Sequence, residues 1–470
     1  VRILLINPPR RTFLRTVLPR YVEEEAGFYP PLGLAYVAAA LRRAGFAEVA
    51  VLDCVAEGLD EARLKARIAA FKPGIAGITA TTFTLPDVLW TAALVKSVDS
   101  SVHVTVGGPH TSVYPVETVS QCDVDTVVVG EGEATFPELA LRLEKGLSPE
   151  GVAGVHYKKD GVPAANPPRD PVADLDALPF PARDLLPLDK YYSIHGEKRR
   201  MTTAMSTRGC PFNCTFCYHA FGRRIRYRSP ENIVEEVREI AAGGITEVFF
   251  FDDIFTVSQD FVLRFCELMK KADTGVVWEI RARVDTVTEP MLKALSEAGC
   301  RRISYGVESG TERVLKVLNK GITLEQARRA FALSKAYGFT TYADFMIGAP
   351  TETKEEILET IAFARSLKAD YAQFSAIIPY PNTELYRAGL RNGTYGTDVW
   401  REFAASPSPD FVPPVASDTL TFEELSSLLD TAYRRFYLTP GFVLKSLLRA
   451  GSPGRVLQLA RAAFRLVTGK

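Results

Sequence analysis

Three cysteines fall within eight residues in the segment Arg208-Gly209-Cys210-Pro211-Phe212-Asn213-Cys214-Thr215-Phe216-Cys217-Tyr218. A tight loop of three thiolates can hold three corners of a cubic [4Fe–4S] cluster, and the missing fourth ligand leaves one iron open to bind substrate. Structural zinc takes four ligands, usually as two pairs, and although His219 follows closely, no second cysteine pair accompanies this trio. Three thiols crowded into one turn without a metal would be redox-labile. Cys54, Cys122, Cys266 and Cys300 stand singly in predicted strands, helices or their ends and read as structural thiols. Seven cysteines, an odd number with three clustered, do not read as a disulfide framework.

Such a loop needs a strand to carry it. From residue 200 onward, β-rich runs near 201–206, 247–251, 278–283, 302–307, 341–347 and 371–377 alternate with helical patterns. Six strand–helix units fit a partial (βα)6 barrel over 200–389, because a full eightfold barrel takes about 250 residues. The cysteine loop follows the first of these strands, at the carboxyl end where such barrels keep their active sites. Before it, strands at 1–6, 49–53, 75–79, 103–106 and 126–129 alternate with helices, the pattern of a doubly wound Rossmann-like α/β sheet spanning 1–150. Each strand ends in small or polar residues, such as Thr79-Ala80-Thr81-Thr82 and Gly107-Gly108-Pro109-His110. A Pro-rich stretch, 151–199, reads as a linker, and 390–470 as a C-terminal helical, basic domain. Residues 431–470 hold eight Lys or Arg and no Asp or Glu, the composition of a solvated helical cap or of a helix pair touching an anionic membrane.

The chain has 470 residues, 47% hydrophobic and 24% charged, with 56 basic and 56 acidic side chains. That is a multidomain globular balance, and zero net charge argues against bulk attraction to nucleic acid. No basic leader with an apolar core opens the sequence, and no run reaches the roughly 18 to 20 apolar residues of a spanning helix. A cytoplasmic protein is expected, with peripheral contact at the inner membrane face if the basic tail makes it.

The C-x3-C-x2-C loop, with Phe216 directly before its last cysteine, resembles the defining motif of the radical S-adenosylmethionine superfamily. The resemblance implies that Cys210, Cys214 and Cys217 hold the cluster and that the methionyl amine and carboxylate of S-adenosylmethionine chelate the open iron. It places Asp252 and Asp253 against the amine, in an acidic stretch where relatives more often carry Gly-Gly-Glu. Arg283 would pair with the carboxylate, Glu308 and Ser309 would meet the ribose, and Gly348 would let backbone approach the adenine.

Over about 150 residues the N-terminal part resembles the cobalamin-binding module that precedes the radical barrel in one subgroup. The matching features are Asn7-Pro8-Pro9, Tyr29-Pro30-Pro31-Leu32-Gly33-Leu34, the Thr-rich loop, Gly107-Gly108-Pro109-His110 and Gly130-Glu131-Gly132-Glu133. Implied corrin contacts are Thr79, Thr81, Thr82, Gly107, Gly108, Pro109, Gly130 and Glu131. The Asp-x-His-x-x-Gly string of many cobalamin modules is absent: the nearest, residues 53–58, has Val55 at the His position. The resemblance therefore implies cobalt without a protein His below, and His110 reads as a polar contact.

The subgroup resemblance implies methylation of an unactivated carbon or phosphorus centre in a small-molecule or lipid-like substrate, with an electron donor such as flavodoxin or ferredoxin. The alternative is radical cyclisation or rearrangement of the kind performed by anaerobic porphyrin cyclases. No second cysteine trio stands in the N-terminal part, which argues against sulfur insertion.

Overall fold

The computed structural model describes residues 1–12, 14, 16–18, 27–193 and 200–449. Short runs rich in Val, Ile and Ala form the first sheet. In it β1 (Ile3–Asn7), β2 (Val49–Asp53), β3 (Ile75–Thr79), β4 (His103–Gly107) and β5 (Thr126–Val128) run parallel. Their near-continuous burial follows from helices on both faces. Leu34, Leu41, Phe136 and Leu139 pack from one side, and Leu64, Ile68, Val88 and Val95 from the other. An antiparallel hairpin, β6 (Val155–Lys159) and β7 (Val162–Ala165), extends the sheet to the order β2-β1-β3-β4-β5-β6-β7. This corrects the linker expected from 151: its first part completes the sheet. The hairpin escapes a sequence reading because Val-His-Tyr-Lys-Lys and Val-Pro-Ala-Ala carry little apolar pattern and are held by pairing to β5.

The second sheet begins with β8 (Met201–Ala204), followed by the short antiparallel pair β9 (Thr207–Arg208) and β10 (Arg226–Tyr227). It continues with β11 (Glu247–Phe250), β12 (Val277–Ala282), β13 (Cys300–Glu308), β14 (Thr340–Ile347) and β15 (Tyr371–Ala376), all parallel, in the order β15-β14-β13-β12-β11-β8. Burial alternates along β14, so Thr341, Ala343, Phe345 and Ile347 lie in the core while the residues between them do not. Deep in the barrel Arg302 pairs with Glu247 and, at 2.6 Å, with Glu279, so these buried charges are matched.

The barrel is open, and its β15 edge is closed by side chains. On the Phe422–Tyr437 helix, the Tyr433 hydroxyl donates to the Phe374 carbonyl at 2.9 Å and accepts from the Phe374 N–H at 3.2 Å. Tyr437 does the same at Ala372, at 2.7 and 3.0 Å. Two tyrosines thus satisfy the edge that a missing strand leaves bare. The helical character expected after 390 is present up to the Pro440–Arg449 helix, whereas residues 450–470 of the basic tail lie outside the described residues. No described helix is long and apolar enough to cross a membrane.

Candidate active site

The cysteine loop leaves β9 through Gly209, whose φ of +95° is a conformation that disfavours side chains. A Cβ there would stand 2.5 Å from the Arg224 carbonyl oxygen, so only glycine lets the loop turn against the chain returning toward β10. Backbone bonds then fix the loop: the Cys217 N–H donates to the Cys214 carbonyl at 3.2 Å and the Thr215 N–H to the Leu318 carbonyl at 3.0 Å. Desolvation raises the thiols of Cys210 and Cys217, the latter to about 12, and the nearby sulfurs and Asp253 add to it. Arg283 and Lys320 pull in the opposite direction, and Arg283 Nη1 lies 3.6 Å from Cys214 Sγ. Three thiols with cationic neighbours suit a group that binds thiolates and brings its own positive charge. Among the described residues no three His, Cys, Asp or Glu converge as a single metal ion would require.

Around this loop the structure redistributes the expected roles. Asp252 is fully buried, and its Oδ1 accepts from the N–H and hydroxyl groups of both Ser206 and Thr207. It ties the β8–β9 turn instead of facing a ligand, which corrects its assignment to the methionyl amine. Asp253 is exposed, with the Gly209 N–H donating to it and Arg281 as a cationic neighbour. Arg283 is engaged at both ends: it grips Asp285 with two 2.9 Å bonds, reaches the Lys320 carbonyl at 2.6 Å and stacks over Phe212 at 3.8 Å. Its fork is therefore occupied, a correction to the expected pairing with a carboxylate. Two residues earlier, Arg281 is exposed and rests over Phe251 and Phe249 at 4.6 and 5.2 Å, without an ion-pair partner among the described residues. Sequence reasoning missed it because two arginines stand two residues apart at the end of β12, with nothing in the sequence to tell them apart.

Glu308 sits at the β13 bulge with φ +74°, a strained setting for a non-glycine residue, and pairs with Lys320 Nζ at 2.7 Å. Lys320 in turn lies 6.0 Å over Phe216 of the cysteine loop. Ser309 is fully buried and its Oγ meets Thr360 at 3.2 Å, so it fastens a helix and not a ribose. Gly348 has φ +81°, a backbone conformation that favours glycine, and lies against Leu425 of the C-terminal helix. Its N–H donates to Glu352 at 2.6 Å.

On the first sheet, the loops after β3 and β4 are bonded to each other: the Ala80 N–H donates to the Gly107 carbonyl at 2.7 Å and the His110 N–H to the Ala80 carbonyl at 3.2 Å. Thr79, Gly107 and Gly108 are half-buried there and Pro109 is exposed. Thr82 Oγ1 lies 3.2 Å from Nδ1 of the buried His110, whose Nε2 has no hydrogen-bond partner among the described residues. Burial pushes this imidazole down to about 4, so it stays neutral. The Gly130 N–H donates to Ser112 at 3.1 Å. Glu131, expected as a corrin contact, is instead spent on an ionic latch: it pairs with Arg226 and, at 3.3 Å, with Arg208, while Glu133 takes Arg208 Nη2 at 2.5 Å. Burial alone would raise the Glu131 carboxyl, but the two arginines outweigh it and hold it below the usual range. Arg208 directly precedes Gly209, so the latch ties the cysteine loop to the end of β5.

A cavity of about 550 Å³ lies where the carboxyl ends of the two sheets meet. The strand order reverses between β1 and β3, and Arg10 and Thr12 after β1 line the cavity together with Thr81, Phe83 and Thr84 after β3. That switch point is where open α/β sheets take ligands. The opposite wall is Phe216 of the cysteine loop, Met346 of β14 and residues 373–380 from β15 onward. Phe83 and Tyr380 close one side edge to face, with centroids 5.6 Å apart.

A family model for the radical SAM superfamily matches residues 205–364, and one for the B12 binding domain matches residues 21–140. The "Uncharacterized methyltransferase PH0819" of Pyrococcus horikoshii is 36% identical over 451 residues, 95% of each chain. The "Anaerobic magnesium-protoporphyrin IX monomethyl ester cyclase" of Rubrivivax gelatinosus is 30% identical over 468 residues, covering 94% of this chain and 82% of that one. Among solved structures, the radical S-adenosylmethionine methyltransferase TsrM from Kitasatospora setae, with cobalamin and a [4Fe-4S] cluster bound, shares the fold with a TM-score of 0.72 across 99% of both chains at 17% identity. With the cysteine loop, the two sheets and these relatives in agreement, the chain belongs to the radical S-adenosylmethionine superfamily, in the group that joins a B12-binding domain to the radical barrel.

Proposed function

We propose that this enzyme is a cobalamin-dependent methyltransferase acting on an unactivated carbon or phosphorus centre of a small molecule. The observation that carries the reading is the single cavity bounded at once by Phe216 of the cysteine loop and by the switch-point loops of the B12-binding domain. Membership of this group brings a [4Fe–4S] cluster, S-adenosylmethionine and cobalamin. When bound, these supply homolytic C–H activation and a transferable methyl group.

The chain's own residues hold and align them. Cys210, Cys214 and Cys217 are the cluster ligands in this reading, and Arg283 steadies the Cys214 sulfur. Asp253 is the carboxylate at hand for the methionyl amine, and Arg281 the cation at hand for its carboxylate. Glu308, held by Lys320, is offered to the ribose. Thr79, Thr81, Thr82, Gly107, Gly108, Pro109 and Gly130 stand where the corrin and its tail would lie.

An external electron donor of the flavodoxin or ferredoxin kind completes the reading. So does peripheral membrane contact through the Pro440–Arg449 helix, which exposes Leu444, Leu447 and Leu448; liposome sedimentation lost on truncation after Leu438 supports that contact, and retained sedimentation refutes it. Ring closure without methyl transfer is the second reading, favoured by the likeness to the Rubrivivax gelatinosus cyclase, and product mass separates the two.

The test is anaerobic reconstitution with iron, sulfide and hydroxocobalamin, followed by reduction with S-adenosylmethionine. Retained corrin with 5′-deoxyadenosine formation that vanishes in Cys214→Ala is expected. Deoxyadenosine without retained corrin contradicts methyl transfer from cobalamin.

A further inference from the structure

The cavity between the two sheets has an uneven lining. Leu14, Val17, Phe83, Phe216, Met346 and Ile377 give it an apolar body, while its neutral polar groups are hydroxyls and one amide. Among the described residues two charged side chains reach it, Arg10 and Asp87. Asp87 is 2% exposed and already accepts from the backbone N–H groups of Arg11 and Thr12 at 3.1 to 3.3 Å, so it offers a ligand little. The neighbouring Arg11 is occupied too, its guanidinium 3.8 Å over the Trp90 ring. Arg10 is exposed at the switch point after β1 and, among the described residues, has no hydrogen-bond or ion-pair partner. Its position leaves one unpaired cationic fork at one end of the chamber, whose far wall is the cysteine loop.

We infer that the substrate is an anionic amphiphile: a largely apolar body lying against Phe216, Met346 and Ile377, with a single carboxylate or phosphate held by Arg10. This rests on the cavity being the reaction chamber of the proposed methyltransferase and adds the class of molecule it admits. The guanidinium donates two N–H groups to two oxygens of a carboxylate or phosphate, which fixes which end of the molecule enters first and so which carbon faces the cysteine loop.

The test uses protein reconstituted with cluster and hydroxocobalamin and two radiolabelled probes, dodecanoate and methyl dodecanoate, by equilibrium dialysis. Both probes are expected to bind. Arg10→Gln, checked for unchanged cluster absorption and corrin retention, is expected to weaken dodecanoate by roughly ten- to a hundredfold while leaving the ester unaffected. Ile378→Trp, which fills the cavity from the β15 side, is expected to weaken both. Equal effects of Arg10→Gln on acid and ester overturn the anionic assignment. Failure of either probe to bind wild-type protein that retains corrin and cleaves S-adenosylmethionine overturns the apolar body while leaving the methyltransferase reading intact. Displacement of dodecanoate on loading hydroxocobalamin also overturns the inference, because the chamber then belongs to the corrin. Wild-type protein that neither retains corrin nor forms deoxyadenosine is the separate failure of the underlying reading.

Discussion

Arg281 lies near the end of β12 and Arg283 just beyond it, and the sequence offers no way to choose between them. The structure separates them by partners: Arg283 is consumed by Asp285, the Lys320 carbonyl and Cys214, and Arg281 by nothing but two aromatic faces. Arg281→Gln should therefore weaken S-adenosylmethionine binding by roughly tenfold, whereas Arg283→Gln should change the electron paramagnetic resonance spectrum of the reduced cluster. The opposite pattern would reverse the assignment. Asp252 teaches the same lesson. Its place in an acidic strand-end string was legible, but its bonds to Ser206 and Thr207 come from a distant turn. Burial raises its carboxyl to about 6 although those bonds pull it down. A folded-state pKa above the unfolded one means the native protein holds the proton more tightly. The group's contribution to stability is therefore full below about pH 4 and is lost as pH rises through about 6. Asp252→Asn should flatten that part of the stability curve in thermal unfolding; parallel curves for the two proteins would contradict it. The cysteine loop was legible as a motif, since three cysteines within eight residues stand out in any sequence.

At the scale of elements, the parallel strands of both sheets were legible because each is a short, buried, branched-apolar run bounded by small residues. The β6–β7 hairpin was not, because its stability comes from pairing with β5 and not from its own pattern. Nor was the tyrosine edging of β15. Tyr433→Phe strands the Phe374 carbonyl and N–H and should cost about 1–3 kcal/mol in denaturant unfolding, with an unchanged midpoint counting against the edge-closing role. The latch between Glu131, Glu133, Arg208 and Arg226 was hidden for a different reason: its glutamates belong to a string that resembles a corrin-binding loop. Removing one partner of a buried ion pair costs more than removing both. Glu131→Ala should destabilise by about 3–5 kcal/mol and speed hydrogen exchange in the cysteine loop. Glu131→Met with Arg226→Met should be milder, and a double variant worse than the single would argue that the latch is not the stabilising unit.

At the scale of the molecule, the two sheets carry out one design. Each presents its carboxyl ends, and the cavity lies where those ends face each other, with the β1–β3 switch point on one side and the cysteine loop on the other. The sequence announced two α/β units and a cluster loop, but the meeting of their ends depends on contacts such as the latch and the shared apolar cluster of Ile3, Leu34, Met201 and Phe249. Both cofactors address one chamber in this reading, and pulsed electron paramagnetic resonance on protein holding the reduced cluster and cob(II)alamin together tests it. Strong dipolar coupling between the two paramagnets is expected, lost in Cys214→Ala. Two independent, uncoupled spectra in protein that retains both cofactors would contradict it.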